Sequence, residues 1–171
     1  MCVVLVEGIS DRVAVETLAR RCGRDLAAQG VDVVPTGGYG NLPRFLERYR
    51  ARRIAGLYDA GEERHVLRAL GCEGREELER RGFFACERDL EDELTRAVGP
   101  DAMQRVLAEQ GELSRFRTYQ KQPAHRDRAL AEQLHGFMWN RKERYAEVLV
   151  DALDLEHTPR PLAALLASFE R

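Results

Sequence analysis

Apolar and polar positions follow two rhythms along the chain, and the rhythm changes near residue 99. Up to that point, short apolar runs alternate with stretches in which apolar residues recur every three or four positions. The runs are Val3-Val4-Leu5-Val6, Val31-Asp32-Val33-Val34-Pro35, Ile54-Ala55-Gly56-Leu57-Tyr58 and Phe83-Phe84-Ala85-Cys86. Short apolar runs rich in β-branched and aromatic residues are the pattern of strands covered on both faces. Between them, Val13, Ala14, Leu18, Cys22 and Leu26 predict a helix over 11–28, closed by Gly30. Leu42, Phe45, Leu46 and Tyr49 predict a second helix over 42–53. A third is predicted over 62–70, with a polar connection through 71–82. Asp89 is an N-cap for a helix carrying Leu90, Leu94, Ala97 and Val98 on one face, and Gly99-Pro100 ends it. Beyond it no strand pattern returns. Helices are predicted over 101–110, 123–138, 142–153 and 159–169, divided at Gly111, Pro123, Asn140 and the Thr158-Pro159-Arg160-Pro161 turn.

Strand and helix in alternation predict an α/β fold of Rossmann-like type: a mostly parallel four-stranded sheet covered by helices, with right-handed crossovers. Residues 1–99 form the expected α/β core. Residues 100–171 form an α-helical C-terminal extension packed on it, the whole a single structural unit.

Composition narrows the setting. A chain of 171 residues suits one domain with a substantial core. No apolar run reaches membrane-spanning length, and the N-terminus lacks the basic start and long apolar run of a signal peptide. Cys2, Cys22, Cys72 and Cys86 are scattered without a C-x-x-C pair, which fits reduced thiols in a cytoplasmic protein. The net charge of −2 excludes a uniformly basic polyanion binder, but charge is unevenly placed. Acids crowd 62–63 and 87–93, and arginines crowd 44–53, 115–128 and 141–144; the only lysines are Lys121 and Lys142.

The acids carry the chemistry. Glu7, Asp59 and Glu87 directly follow three of the four apolar runs, so in a parallel sheet they share the carboxyl edge, where such sheets bind ligands. Clustered carboxylates repel one another unless a cation neutralises them. A set of oxygen donors without His or Cys points to Mg²⁺ or Mn²⁺, and two such ions would serve phosphodiester hydrolysis. The competing reading is that acids at helix N-termini only satisfy the helix dipole, which accounts for Asp11, Glu62 and Asp89. Ser10 is the expected cap of the first helix. The glycines of Thr36-Gly37-Gly38-Tyr39-Gly40-Asn41 lack any phosphate-loop spacing, so this reads as a plain loop. The four histidines lack ligand spacing and read as surface or packing residues. Trp139 and Phe137 read as packing residues too, with stacking on a base as the alternative. Arg115, Arg117, Lys121, Arg126 and Arg128 form the best basic cluster, either a solvated face or a contact to a nucleic-acid backbone.

Val4-Leu5-Val6-Glu7-Gly8-x-Ser10-Asp11, Gly56-Leu57-Tyr58-Asp59 and Asp89-Leu90-Glu91-Asp92-Glu93-Leu94 together resemble the Toprim domain. The nearest branch is the nuclease domain of the OLD (overcoming lysogenization defect) family. Gln120-Lys121-Gln122-Pro123 resembles the region of its functional lysine, and Arg144-Tyr145-Ala146 with Pro159-x-Pro161-Leu162 resembles its helical C-terminal part. The resemblance implies a Toprim fold and a Mg²⁺- or Mn²⁺-dependent endonuclease acting on DNA, RNA being the less favoured substrate. Glu7 would be ligand and general base, with Asp11 at a second metal. Asp59, Asp89 and Glu91 would be further ligands, and Lys121 would steady the phosphate.

One departure bears on activity. The D-x-D of the family reads Asp59-Ala60-Gly61 here, so the second ion is held weakly unless Glu62 or Glu63 replaces the missing acid. The alternative is a non-catalytic metal- or nucleotide-binding Toprim-like module that docks on a separate ATPase. OLD proteins carry an ATPase, whereas this chain has no G-x-x-x-x-G-K-[ST]. A homodimer is left open as the state of assembly.

Overall fold

The computed structural model describes residues 1–169. Its strands β1 (Cys2–Val6), β2 (Val31–Pro35), β3 (Arg53–Asp59) and β4 (Phe83–Cys86) form one sheet in the order β2-β1-β3-β4. Every neighbouring pair is parallel, with Val4 opposite Val33 and Ala55, and Asp59 opposite Cys86. The continuous apolar runs are explained by two cores. Cys2, Val4 and Val6 of β1, Ala55 and Leu57 of β3, and Phe84 and Cys86 of β4 face one core. Val3 and Leu5, Tyr58 and Phe83 face the other. Period-two alternation thus buries both faces of β1, β3 and β4, while the edge strand β2 leaves Asp32 exposed.

Helix α1 (Ile9–Arg21), with α5 (Leu90–Val98) and the later helices, covers the first face. Those later helices are α6 (Pro100–Glu109), α7 (Leu113–Gln120), α8 (Leu130–Met138), α9 (Lys142–Ala152) and α10 (Arg160–Ser168). α9 lies along α1, and α10 lies against β3 and β4. The second face is covered by α2 (Leu42–Arg48), α3 (Glu63–Leu70) and α4 (Arg75–Arg80) through Leu42, Phe45, Val66 and Leu78. The chain therefore leaves β1 onto one face and β3 onto the other, and the strand order reverses between these two neighbours. A crevice at the carboxyl ends of β1 and β3 follows from that reversal.

Several element ends depart from the sequence pattern. α1 stops at Arg21 because Gly23 adopts φ +72°, its amide donating to the Arg20 carbonyl at 3.0 Å while Arg24 N–H reaches Ala19 O at 2.9 Å. This left-handed C-terminal closure satisfies the last carbonyls and leaves 24–28 outside the helix. α1 starts at Ile9, so Ser10 lies in its first turn and does not cap it; the Gly8 amide donates instead to Asp11 Oδ2 at 2.8 Å. α2 likewise ends at Arg48. α4 occupies the expected polar connection, with Leu78 as its single buried residue. The helix expected over 123–138 forms only from Leu130. Before it, the His125 ring stacks on Tyr119 at 3.9 Å and the His125 carbonyl accepts from Gln133 Nε2 at 2.8 Å, which holds the preceding residues as turns. Residues 170 and 171, the end of the expected extension, lie outside the described residues.

Gly56 is where β3 passes closest to its neighbours, since a Cβ there would lie 2.7 Å from Leu5 O and 2.8 Å from the Phe83 ring. All four cysteines are free. Among the described residues, no helix is long and apolar enough to cross a membrane.

Candidate metal centre at the carboxyl edge

Glu7 and Asp59 leave β1 and β3 at the two sides of the crevice. The loop after β2 braces them. Thr36 binds Val6 O through its amide (2.8 Å) and its hydroxyl (3.1 Å), and the Gly37 amide donates to Glu7 O at 2.9 Å. Asn41 Nδ2 closes the loop on Thr36 O at 3.0 Å, and the buried Tyr39 hydroxyl donates to Leu57 O on β3. The loop's glycines thus serve a bracket across the strand ends.

Asp59 is half-buried, and among the described residues nothing hydrogen-bonds or ion-pairs with its carboxylate. Burial, and then the charges of Glu7, Asp11, Asp89 and Glu91, push its pKa up to about 8. Asp11 is pushed up to about 6, first by burial. The Gly8 amide pulls it back, Glu91 and Glu7 push further, and Lys142 pulls back again. Acids from β1, α1, β3 and α5 therefore share one electrostatic field, as parallel strands ending in carboxylates require. The same field raises the Tyr39 hydroxyl well above its ordinary value, burial being the largest cause and Asp59, Asp11, Cys86 and Glu7 adding to it.

The β4–α5 side is arranged differently. Asp89 caps α5, its Oδ1 accepting from the Asp92 amide at 2.8 Å, while its Oδ2 meets His135 Nε2 at 2.9 Å in a buried contact. Burial is the largest single influence on Asp89 and pushes upward. The Asp92 amide, His135 and Lys142 together outweigh it and hold the carboxyl below its usual range. Lys142 Nζ donates to Glu91 Oε2 at 2.8 Å and lies 3.8 Å from Asp89 Oδ2. Glu93 turns back to accept the Glu87 amide at 2.9 Å and pairs with Arg96 at 3.0 Å.

The remaining expected ligands point elsewhere. Glu87 is exposed, and its acid is not among the charges named above as pressing on Asp59. Glu62 pairs with His65 Nδ1 at 2.8 Å, and Glu63 with Arg75 Nε at 2.6 Å and the Tyr58 hydroxyl at 3.3 Å. Neither is drawn toward the space left by Gly61. Gly61 itself has an ordinary φ and open space, with nothing within 4 Å of a Cβ placed there.

Among the described residues, no three His, Cys, Asp or Glu side chains stand ready-formed around a common ion position. Glu7, Asp11 and Asp59 nonetheless fit a hard divalent cation. They are carboxyl oxygen donors on one edge; Lys142 offsets part of the charge at Asp11, no cation among the described residues pairs with Glu7 or Asp59, and these two sit at strand ends.

Lys121 lies away from this edge. It follows α7, is exposed, and lines a cavity of about 560 Å³ with Arg117, Gln120, Arg126 and Gln133. Arg115 pairs with Glu112 at 3.3 Å, Arg126 touches Asp127 at 3.5 Å, and Arg117 and Arg128 are exposed. The lysine beside the acids is Lys142, and the histidine beside them is His135. Neither is singled out by the sequence pattern. The available signal for Lys142 is its rarity, one of two lysines in an arginine-rich chain. No local pattern marks His135, whose partner is 46 residues away.

Residues 1–57 match the family model for the overcoming lysogenization defect protein-like TOPRIM domain. The solved C-terminal region of the Xanthomonas campestris pv. campestris OLD protein is similar over 98% of this chain and 91% of its own, at 22% identity and TM-score 0.72. The C-terminal region of the Burkholderia pseudomallei OLD protein is similar over 98% and 96%, at 17% identity and TM-score 0.75. Comparison with curated proteins gives no match. The chain thus has the Toprim α/β fold of the C-terminal region of OLD proteins, with an OLD-like Toprim sequence in its first 57 residues.

Proposed function

We propose that the protein is a divalent-cation-dependent nuclease that hydrolyses phosphodiester bonds, with DNA as substrate. The observation that carries this reading is the acid group at the switch point: Asp59 has no hydrogen-bond or ion-pair partner among the described residues, and burial first, then the charges of Glu7 and Asp11, disfavours its anion unless a cation is present. Glu7 and Asp59 would hold the ion, with the free oxygen of Asp11 beside them. Mg²⁺ or Mn²⁺ there would supply Lewis-acid activation and charge neutralisation. Asp89, clamped by His135 and the Asp92 amide, fixes the start of α5. It thereby fixes Glu91 and, through it, Lys142. The Lys142 ammonium, 2.8 Å from Glu91 and 3.8 Å from Asp89, would meet a phosphate oxygen. Lys121, with Arg115, Arg117, Arg126 and Arg128, would contact the nucleic-acid backbone farther out.

Gly61 supplies no second acid, so Mn²⁺ should support cleavage better than Mg²⁺, which tolerates an incomplete octahedron poorly. The test is nicking of supercoiled plasmid by purified protein under each metal. The expected result is cleavage with Mn²⁺, less with Mg²⁺, and none for Glu7→Ala. Nicking that survives Glu7→Ala, or is absent under both metals, contradicts the proposal. The absent second acid also favours a second reading, a metal-binding module without turnover that works beside a separate ATPase. Metal binding without nicking, even for Gly61→Asp, would select it.

A further inference from the structure

Trp139 and Ile9 are each 57% exposed, and among the described residues they are two of only four large hydrophobic side chains left exposed. They are far apart in sequence yet line the same cavity, of about 550 Å³, together with Gly8, Lys142 and Arg144. Gly8 follows Glu7, and Lys142 is the cation of the acid group, so this cavity opens directly beside the candidate metal centre. Trp139 is held in place. It begins the single 3₁₀ turn (Trp139–Arg141) between α8 and α9, Lys142 Nζ sits over its ring at 4.5 Å, and the His135 ring lies 6.0 Å away.

Beyond Trp139 three arginines gather on one buried acid, and Glu143 also lines the cavity. Glu112, with a side chain only 4% exposed, accepts from Arg144 at 3.0 Å, Arg141 at 3.1 Å and Arg115 at 3.3 Å. Three guanidiniums around one carboxylate leave a net charge of two positive. Arg141 is further fixed by the Phe137 carbonyl at 2.8 Å and by the Phe137 ring at 4.1 Å, and Arg144 by Gln110 O at 3.3 Å. Arg141 also lines the adjoining cavity with Arg115, so the positive wall continues from one to the next.

We infer that this cavity holds an unpaired nucleotide next to the bond to be cut, its base stacked on Trp139 and the following phosphates laid along Arg144, Arg141 and Arg115. This rests on the nuclease reading above and adds the form of the substrate. Inside a duplex both faces of a base are covered by neighbours, whereas a base in a single strand can stack on an aromatic ring. Guanidiniums fixed by a buried carboxylate give phosphate oxygens ready-oriented donors.

Trp139 is the only tryptophan of the chain, so its fluorescence reports on the site directly. The experiment titrates oligothymidylate, and separately a duplex of equal length, into the whole protein with Ca²⁺ in place of Mg²⁺, following tryptophan emission and the anisotropy of a labelled strand. The expected result is saturable quenching by the single strand and weaker binding of the duplex. Trp139→Ala should lose about tenfold in single-strand affinity, and Trp139→Phe less, the range of one base–aromatic stack. Arg144→Ala should weaken binding and lower the salt slope by about one phosphate contact. Equal affinity for single strand and duplex, or unchanged affinity in Trp139→Ala, overturns the inference. If that happens while the parent still nicks plasmid with Mn²⁺, the nuclease reading stands and only the stacking site falls.

Discussion

The two sides of the carboxyl edge carry the same kind of residue in opposite circumstances. On the β4–α5 side Asp89 has His135, Glu91 has Lys142 and Glu93 has Arg96, while Glu87 is exposed to solvent. On the β1–β3 side Glu7 and Asp59 have none among the described residues, and Asp11 has only a backbone amide. The pKa directions follow, Asp89 held down and Asp11 and Asp59 pushed up. The difference separates acids held as structural anchors from acids that, on the proposed reading, would take an external cation. A cluster read by composition alone would count them together.

The largest expected effect separates the two lysines. Lys142→Ala should lower Mn²⁺-dependent nicking by about 100-fold, the scale of losing one preorganised charge at a reacting phosphate. Lys121→Ala should change substrate affinity and salt dependence while leaving turnover at saturating plasmid near the parent value. Single-turnover rates at saturating DNA would decide it. Equal losses in both variants would break the distinction.

Removing the anchor on the paired side tests stability next. His135→Phe leaves Asp89 Oδ2 without its partner in a buried place, at a cost of about 1–3 kcal/mol. The melting temperature of the metal-free protein should fall accordingly, by several degrees. An unchanged melting temperature would mean that the Asp89–His135 contact does not hold α5.

The two sides should also titrate with opposite sign. Asp11 and Asp59 have folded values of about 6 and 8 against an ordinary 3.8, so the folded state holds protons that the unfolded chain releases. Their contribution to stability is complete below about pH 4 and is lost as pH rises through those two values. Asp89 is lowered, so its contribution is present above 3.8 and lost as pH falls through its folded value. Thermal melts of the metal-free protein from acid to mildly alkaline pH should show the decline between about pH 4 and 8 flattened in Asp59→Asn and retained in Glu87→Gln. A decline of the same size in Asp59→Asn would contradict the assignment.

The smallest effect expected is a gain. Gly61→Asp meets no steric obstacle and no special backbone angle, and it adds a second carboxylate near Asp59. Mg²⁺-supported nicking should rise several-fold toward the Mn²⁺ level. An unchanged Mg²⁺ rate would place residue 61 outside the reach of the ion.

The legible part of this chain is what depends on local pattern. All four strands are found where the apolar runs lie, and the strand-end position of Glu7, Asp59 and Glu87 puts them on one edge once the sheet is parallel. The illegible part depends on long-range partners. Glu87 shares the edge but faces solvent, because the Glu93 side chain takes its amide and turns the chain into α5. Lys142 and His135 reach the acids only because α8 and α9 pack on α5, and no spacing within either helix announces it. α7 carries Leu113, Phe116 and Tyr119 among arginines, a thin apolar stripe with Phe116 alone buried. The end of α1 was marked by Gly23, but the burial of Leu26 in the core prolongs the apolar rhythm past it.

If the acids around Asp59 take up a divalent cation, the melting temperature at mildly alkaline pH should depend on Mn²⁺. A site present only in the folded state raises it with metal concentration as RT ln(1 + [L]/Kd). The melting temperature should rise for the parent and for Glu87→Gln, and not for Asp59→Asn at the same concentrations. No rise in the parent, or an equal rise in Asp59→Asn, would contradict cation uptake by these acids.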